Sequence, residues 1–320
     1  MNESILITGG LGYVGGRIAR ALAEQTDFAL LLGTRHSKLP KPAWLKRGSV
    51  IPLDVTGGQD LHDVCKGVRF VLHLAAMNEI ESAKDPAGAV TVNTLGTLKL
   101  VQAAERAGVE RFIYFSTAHV YGVPLAGSIT EATLPRPVHP YAMTHRAAED
   151  FVLAAHDRKT MGGLVLRLSN GFGAPIRPEV NRWTLLVNDL CRQAVTARKL
   201  VLQSSGLQQR DFVTLSDVAR AVLHCLQLDA TKCGNGLFNL GGDRARSILE
   251  MTRLVAARCE AVLGFTPPVQ RPEPPPNAAV APLDYRIDKL KETGFVLKDE
   301  ADAEIDATLR LFSEAFSTPS

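Results

Sequence analysis

The stretch Ser4–Gly16, SILITGGLGYVGG, narrows the possible folds more than any other part of the chain. Ser4 to Thr8 is a short apolar run with strand character, and Gly9, Gly10, Gly12, Gly15 and Gly16 crowd the turn behind it. From Tyr13 onward Val14, Ile18, Ala21 and Leu22 recur at helical spacing. Strand, glycine turn and helix N-terminus together make a cradle for a pyrophosphate. The glycines let the backbone bend and let the anion approach without meeting a Cβ. The unpaired N–H groups at the positive end of the helix dipole then hold it. A glycine triplet alone is weak evidence, but here the strand before it and the helix after it supply the required context.

The rest of the first half repeats this alternation. Strand-like runs at Phe28–Leu32, Val50–Leu53, Phe70–Leu74, Arg111–Ser116 and Leu164–Leu168 are separated by helical patterns, notably Asn93–Ala107 and Tyr141–His156. Continuous apolar strands of this kind predict a parallel sheet covered by helices on both faces. After Gly173 the pattern loosens. Helices are predicted at Thr184–Arg198, Asp217–Leu228, Ser247–Leu263 and Ala301–Phe316, with brief strands at Lys199–Gln203 and Leu237–Leu240. Between them Thr266–Pro282, carrying seven prolines, reads as a loop or lid. The expected organisation is a dinucleotide-binding domain over residues 1–173, rejoined by a segment at about 205–245, and a smaller, mainly substrate-binding α/β domain over 174–320.

Composition excludes several classes. A net charge of +3 is too small to argue for nucleic acid. Five cysteines without CxxC spacing suggest neither disulfides nor zinc, and no metal site is expected. The first strand begins within a few residues of Met1, leaving no room for a signal peptide, and no apolar run is long enough to span a bilayer. A cytoplasmic protein without membrane contact is the expectation.

Five motifs, TGGLGYVGG at Thr8–Gly16, HLAA at His73–Ala76, FSTAHVYG at Phe115–Gly122, PYAMTH at Pro140–His145 and RDFVTLSDVA at Arg210–Ala219, resemble those of the extended short-chain dehydrogenases. This is the group of NAD(P)-dependent nucleotide-sugar epimerases, dehydratases and reductases. The resemblance implies a Rossmann-type doubly wound parallel sheet and a nucleotide-sugar substrate. It also implies a homodimer paired through the helices at Asn93–Ala107 and Tyr141–His156. By the same resemblance Gly9, Gly12 and Gly15 hold the cofactor pyrophosphate, with Tyr13 and Val14 donating backbone contacts. Asp54 and Val55 lie near the adenine, and Leu74, Ala75 and Ala76 line the nicotinamide side. Asn93 braces the central helix. Thr117 binds the reacting oxygen and Tyr141 is the catalytic tyrosine. Asn170, Arg210 and, more loosely, Arg271 contact the substrate phosphates.

Three departures bear on function. First, NAD-selective sites carry an acidic residue about 20 positions beyond the glycines, and no Asp or Glu occurs between Phe28 and Leu53. Arg35 follows the second strand within a basic cluster that includes His36, Lys38, Lys41, Lys46 and Arg47. A 2′-phosphate is therefore tolerated, and NADP is slightly favoured over NAD; alternatively Arg35 is a solvated surface residue. Second, the family's YxxxK is here Tyr141-Ala-Met-Thr-His145. His145 keeps the spacing that puts both side chains on one helix face, but an imidazole titrates near about 6.5. Three readings stay open: His145 replaces the lysine with pH-sensitive activity, Thr117 or a substrate group carries the proton instead, or the site is not catalytic. Third, Thr117 is followed by Ala118 and His119, where the family's dehydratases carry an Asp-Glu pair. Dehydration is disfavoured, with His119 either a replacement acid/base or a hydrogen-bonding residue. Epimerase comes first, ketoreductase second, and a non-catalytic dinucleotide-binding protein is the alternative of another class. Among the remaining residues, His73 reads as structural and His139 as surface. Trp183 reads as a stacking or packed aromatic, and Asp217 as a helix N-cap shared with Ser216.

Overall fold

A computed structural model describes residues 3–35, 39–276 and 280–316. The apolar runs assemble into one seven-stranded sheet. Its strand order is Leu237–Leu240, Gly162–Leu168, Arg111–Thr117, Phe70–His73, Ser4–Thr8, Ala29–Thr34 and Gly48–Pro52. All neighbours are parallel. Alternate side chains of each strand face opposite layers, and both layers are apolar. Ile5, Ile7, Leu30, Leu32 and Leu72 pack with Ile18 and Leu22 of the helix Tyr13–Gln25 and with Val218 and Val222 of the helix Leu215–Gln227. Leu6, Val71, Phe112 and Tyr114 pack on the other face. Their partners are Leu100 and Ala104 of the helix Gly96–Ala107 and Ala148 and Val152 of the helix Pro140–Asp157. Each fully buried Ile or Leu of these strands contributes about 1.5–3 kcal/mol relative to an exposed position.

Strand order reverses between Ser4–Thr8 and Phe70–His73, since the chain first builds outward on one side of Ser4–Thr8 and then on the other. In open α/β sheets that point is where a crevice opens beyond the carboxyl ends of the strands. The glycine turn lies there.

A third apolar cluster joins the helices Leu186–Ala197, Ile248–Leu263 and Ala301–Phe316 through Val187, Leu190, Met251, Val255, Ile305 and Phe312. Trp183 belongs to it, its ring 4.7 Å from that of Phe312 and 5.4 Å from that of Phe316. It is packed rather than offered for stacking. The proline-rich stretch is not all loop, because Val269–Gln270 pairs with Leu200–Val201; residues 277–279 lie outside the described residues.

Helix capping also departs from expectation. Thr214, not Asp217, caps Leu215–Gln227, its hydroxyl accepting from Asp217 N at 3.0 Å. The Asp217 carboxylate instead accepts from Lys298 N and Asp299 N at 2.9 and 3.0 Å and tethers the C-terminal segment. His139 is more than a surface residue, since its Nδ1 accepts from Tyr141 N at 3.2 Å and caps Pro140–Asp157. No helix among the described residues is long and apolar enough to cross a membrane.

Candidate active site

A cavity of about 540 Å³ occupies the switch point. Gly9, Gly12, Tyr13, Val14, Gly15, Arg35, Asp54, Val55, Leu74, Ala75, Ala76, Thr117, Tyr141, His145 and Asn170 all line it. These residues are far apart in sequence and meet because most sit at or just beyond the carboxyl end of a strand, while the first turns of the helix Pro140–Asp157 bring in Tyr141 and His145.

The glycine turn is built for close approach. Gly9 adopts φ +66°, in the left-handed region that favours glycine. A Cβ on Gly15 would lie 2.3 Å from the Gly9 carbonyl oxygen, a backbone atom that cannot swing aside. No side chain caps the helix at Gly12, so its first N–H groups have no side-chain acceptor. The Tyr13 phenol points the other way, 2.8 Å from Gly173 O and 3.2 Å from Asn188 Oδ1. At the opposite rim Asp54 Oδ1 accepts from Thr56 N and Oγ1 at 2.9 and 2.7 Å. Those bonds, with Arg35 nearby, hold its carboxyl below the usual range. Arg35 itself is exposed, Arg47 pairs with Asp27 instead, and His36 and Lys38 lie outside the described residues.

Asn93 stands one layer behind the wall. It sits in a π-helical turn, Val90–Leu95, where Oδ1 accepts from Met77 N at 2.7 Å and Nδ2 donates to Thr144 Oγ1 at 3.0 Å. The wider turn lets one side chain tie the Met77 loop to the Tyr141 helix. Arg210 and Arg271 fall outside the wall; they reach Gln208 Oε1 at 3.3 Å and Ser205 O at 2.8 Å. Asn170 lines the cavity while its Nδ2 donates to Asp211 O at 2.7 Å.

Thr117 ends its strand and accepts from His119 N at 3.2 Å. Burial pushes the Tyr141 phenol up, with Glu79 adding to the rise and Arg182 and the Thr117 hydroxyl opposing it. His145 is 3% exposed, and its ring lies 4.4 Å from that of Tyr141. Nδ1 is 2.7 Å from the Tyr114 hydroxyl, whereas Nε2 is buried with no protein partner. Burial pushes the imidazole down to about 3, partly offset by the Phe115 carbonyl. His145 is therefore neutral at pH 7, and an acid limb of activity near its ordinary value is not expected from it.

His73 is structural, between Thr8 Oγ1 at 2.7 Å and Thr97 Oγ1 at 2.9 Å, and burial pushes it too down to about 3. An imidazole of the unfolded chain titrates near about 6.5. The stability due to these two histidines is complete above that value and is lost as pH falls towards about 3, by up to about 1.4 kcal/mol per unit for each. Thermal melts should be flat with respect to these groups between about pH 7 and pH 8 and fall steadily below about pH 6. A melting temperature constant down to about pH 4.5 would contradict the burial argument.

Sequence spacing did not reveal Glu79, Arg177 and Arg182, which also line the cavity. Glu79 opens the short helix Glu79–Lys84, Arg177 and Arg182 lie in irregular chain, and none matched a motif. Tyr114 was hidden as an ordinary strand residue. Among the described residues no group of three or more His, Cys, Asp or Glu is arranged to hold a metal ion.

Fold and site define a Rossmann-type α/β protein with its cleft at the sheet's switch point. The chain belongs to the NAD dependent epimerase/dehydratase family, whose pattern matches residues 5–241, within the extended short-chain dehydrogenases. It is 30% identical to dTDP-D-glucose 4,6-dehydratase from Mus musculus over 78% of this chain and 71% of that protein. The structure is similar to UDP-N-acetylglucosamine 4-epimerase from Methanobrevibacter ruminantium M1 in complex with UDP-N-acetylmuramic acid. That comparison has a TM-score of 0.83 and 22% identity over 98% of this chain and 99% of the other. MoeE5 in complex with UDP-glucose and NAD matches with a TM-score of 0.77 and 26% identity, over 98% and 100% of the two chains. These relatives and neighbours are nucleotide-sugar enzymes, and the residues present fit a dinucleotide. The glycine turn leaves the space that a Cβ would fill, and the cavity wall holds an orphaned donor or acceptor at His145 Nε2.

Proposed function

We propose that the protein is an NAD(P)-dependent epimerase acting at a hydroxyl-bearing carbon of a nucleoside-diphosphate sugar. The observation that carries this reading is the meeting of Thr117, Tyr141 and His145 with the glycine turn in one cavity. In this reading Thr117 orients the substrate oxygen, and Tyr141, acting in its phenolate form, takes the hydroxyl proton and later returns it. His145 hydrogen-bonds the cofactor ribose. A bound nicotinamide supplies the hydride acceptor and donor. Asn170, Arg210 and Arg271 remain the proposed phosphate contacts, the last two after side-chain movement. The cofactor part is residues 1–173 with the segment at about 205–245, and the substrate part is mainly 174–320. A homodimer is included, and exposed Leu95 and Met143 lie on the helical segments proposed to pair.

A ketoreductase is the second reading. It is favoured by a Tyr141 phenol that burial keeps protonated beside a neutral His145, a pair better suited to donating a proton than to removing one. Dehydration lacks its carboxylate pair, since Ala118 and His119 follow Thr117.

Incubation with deuterated NADPH and a panel of UDP-, GDP-, CDP- and dTDP-sugars and their keto derivatives tests the choice. Interconversion of two sugars without net cofactor consumption supports the epimerase. Stoichiometric deuterium transfer to a keto sugar supports the reductase. Tight cofactor binding with neither outcome leaves a binding protein. In parallel titrations NADP is expected to bind at least as tightly as NAD, with Arg35→Ala reducing the NADP preference; a strong NAD preference in the native chain sinks that assignment.

A further inference from the structure

The His145 imidazole is held from behind. Tyr114, in the strand Arg111–Thr117, is buried, and its ring stacks on that of His145 at 5.7 Å and 25°. Its hydroxyl is 2.7 Å from His145 Nδ1. The Thr97 hydroxyl beside this phenol is already engaged on both sides. Leu74 N and Ala75 N donate to Thr8 Oγ1, so the Thr8 proton goes to His73 Nδ1. His73 then carries its proton on Nε2 and donates to Thr97 Oγ1, whose own proton goes to Asn93 O at 2.6 Å. No proton of that chain is left for the Tyr114 oxygen, so the phenol's own proton is free to go to His145 Nδ1, its 2.7 Å neighbour.

We propose that Tyr114 is a positioning residue that fixes His145 as the neutral tautomer with its proton on Nε2, giving the cavity wall an uncharged hydrogen-bond donor. The inference about the tautomer stands on the protein alone; its consequence for binding rests on the reading that a dinucleotide occupies the cavity. There the Nε2 proton, which makes no well-aligned hydrogen bond in the protein although the Phe115 carbonyl stands near the ring, meets a ribose hydroxyl. A lysine at this position supplies donor and charge together; here the donor is kept and the charge is absent. The titratable groups facing His145 are Tyr114, Tyr141, His73 and His119. Glu149, on the same helix, is occupied by Arg167.

The test reads the tautomer directly, by long-range ¹H–¹⁵N correlation on the ¹⁵N-labelled cofactor-free protein, with His145→Gln assigning the signals. A protonated Nε2 and an unprotonated Nδ1, constant from about pH 8 to pH 5, are expected. Tyr114→Phe should shift His145 towards a mixed tautomer and weaken NADPH and NADH binding, followed by fluorescence, about tenfold. A protonated Nδ1 or a doubly protonated ring at pH 7 in the native chain overturns the proposal, as does a Tyr114→Phe protein with unchanged His145 signals and cofactor affinity. If Tyr114→Phe does not fold, the native tautomer still decides. If neither cofactor binds the native chain, the functional reading fails while the tautomer assignment stands or falls on its own spectrum.

Discussion

Tyr141→Phe is expected to lower turnover of the nucleotide sugar by about 10²–10⁴-fold, the range lost when a positioned proton donor or acceptor is removed. Cofactor affinity should hardly change, because the substitution deletes one oxygen and keeps the ring. The phenyl group retains its packing on His145 at 4.4 Å, and the helix start is set by backbone bonds, with Tyr141 N on His139 Nδ1 and Tyr141 O on Thr144 Oγ1. A fall in kcat with little change in cofactor dissociation is thus the signature of a proton-transfer role. Turnover within about threefold of the native protein would remove Tyr141 from the chemistry and shift the proton to Thr117 or to a substrate group.

Glu149→Gln should cost about 3–5 kcal/mol of unfolding free energy, because it leaves a buried guanidinium without its counter-charge. Arg167 is 2% exposed and Glu149 is fully buried. Two parallel bonds join them, Nε to Oε1 at 2.9 Å and Nη2 to Oε2 at 2.6 Å. Ser116 Oγ also donates to this carboxylate, and the Arg167 guanidinium lies 4.7 Å over the Tyr121 ring. The cluster therefore ties the strand ending in Thr117 to the helix carrying Tyr141 and His145, and activity should fall with stability. Urea denaturation measures the loss. The double variant Glu149→Leu with Arg167→Met should recover much of it, since apolar replacement of a whole buried pair is often neutral. A single variant within about 1 kcal/mol of the native protein would show that water or the Tyr121 ring, 4.7 Å from the guanidinium, relieves the stranded charge.

Much of the fold was legible in the chain. The seven strands of the main sheet fall on apolar runs, and the helix after the glycine turn begins at Tyr13 in both readings. Legibility failed where the decisive partner is distant. Asp217 looked like a cap because Ser216 precedes it, but its carboxylate is occupied by Lys298 N and Asp299 N. The prolines of Thr266–Pro282 concealed the strand Val269–Gln270, which exists because Leu200–Val201 offers an edge to pair with. Glu79, Arg177 and Arg182 join the cavity through chain paths that no short motif encodes.

The sequence by itself determined the strand, glycine turn and helix at Ser4–Gln25, the absence of an acidic residue after the second strand, and a histidine where relatives keep a lysine. Spacing, backbone freedom and side-chain chemistry within a short window suffice for each of these. What that histidine is able to do was decided by tertiary structure. Its environment is set by Tyr114, 31 residues away on a strand that reaches it only when sheet and helix pack. Burial then removes the water that would stabilise an imidazolium, so the side chain is neutral, and the phenol behind it selects which nitrogen holds the proton.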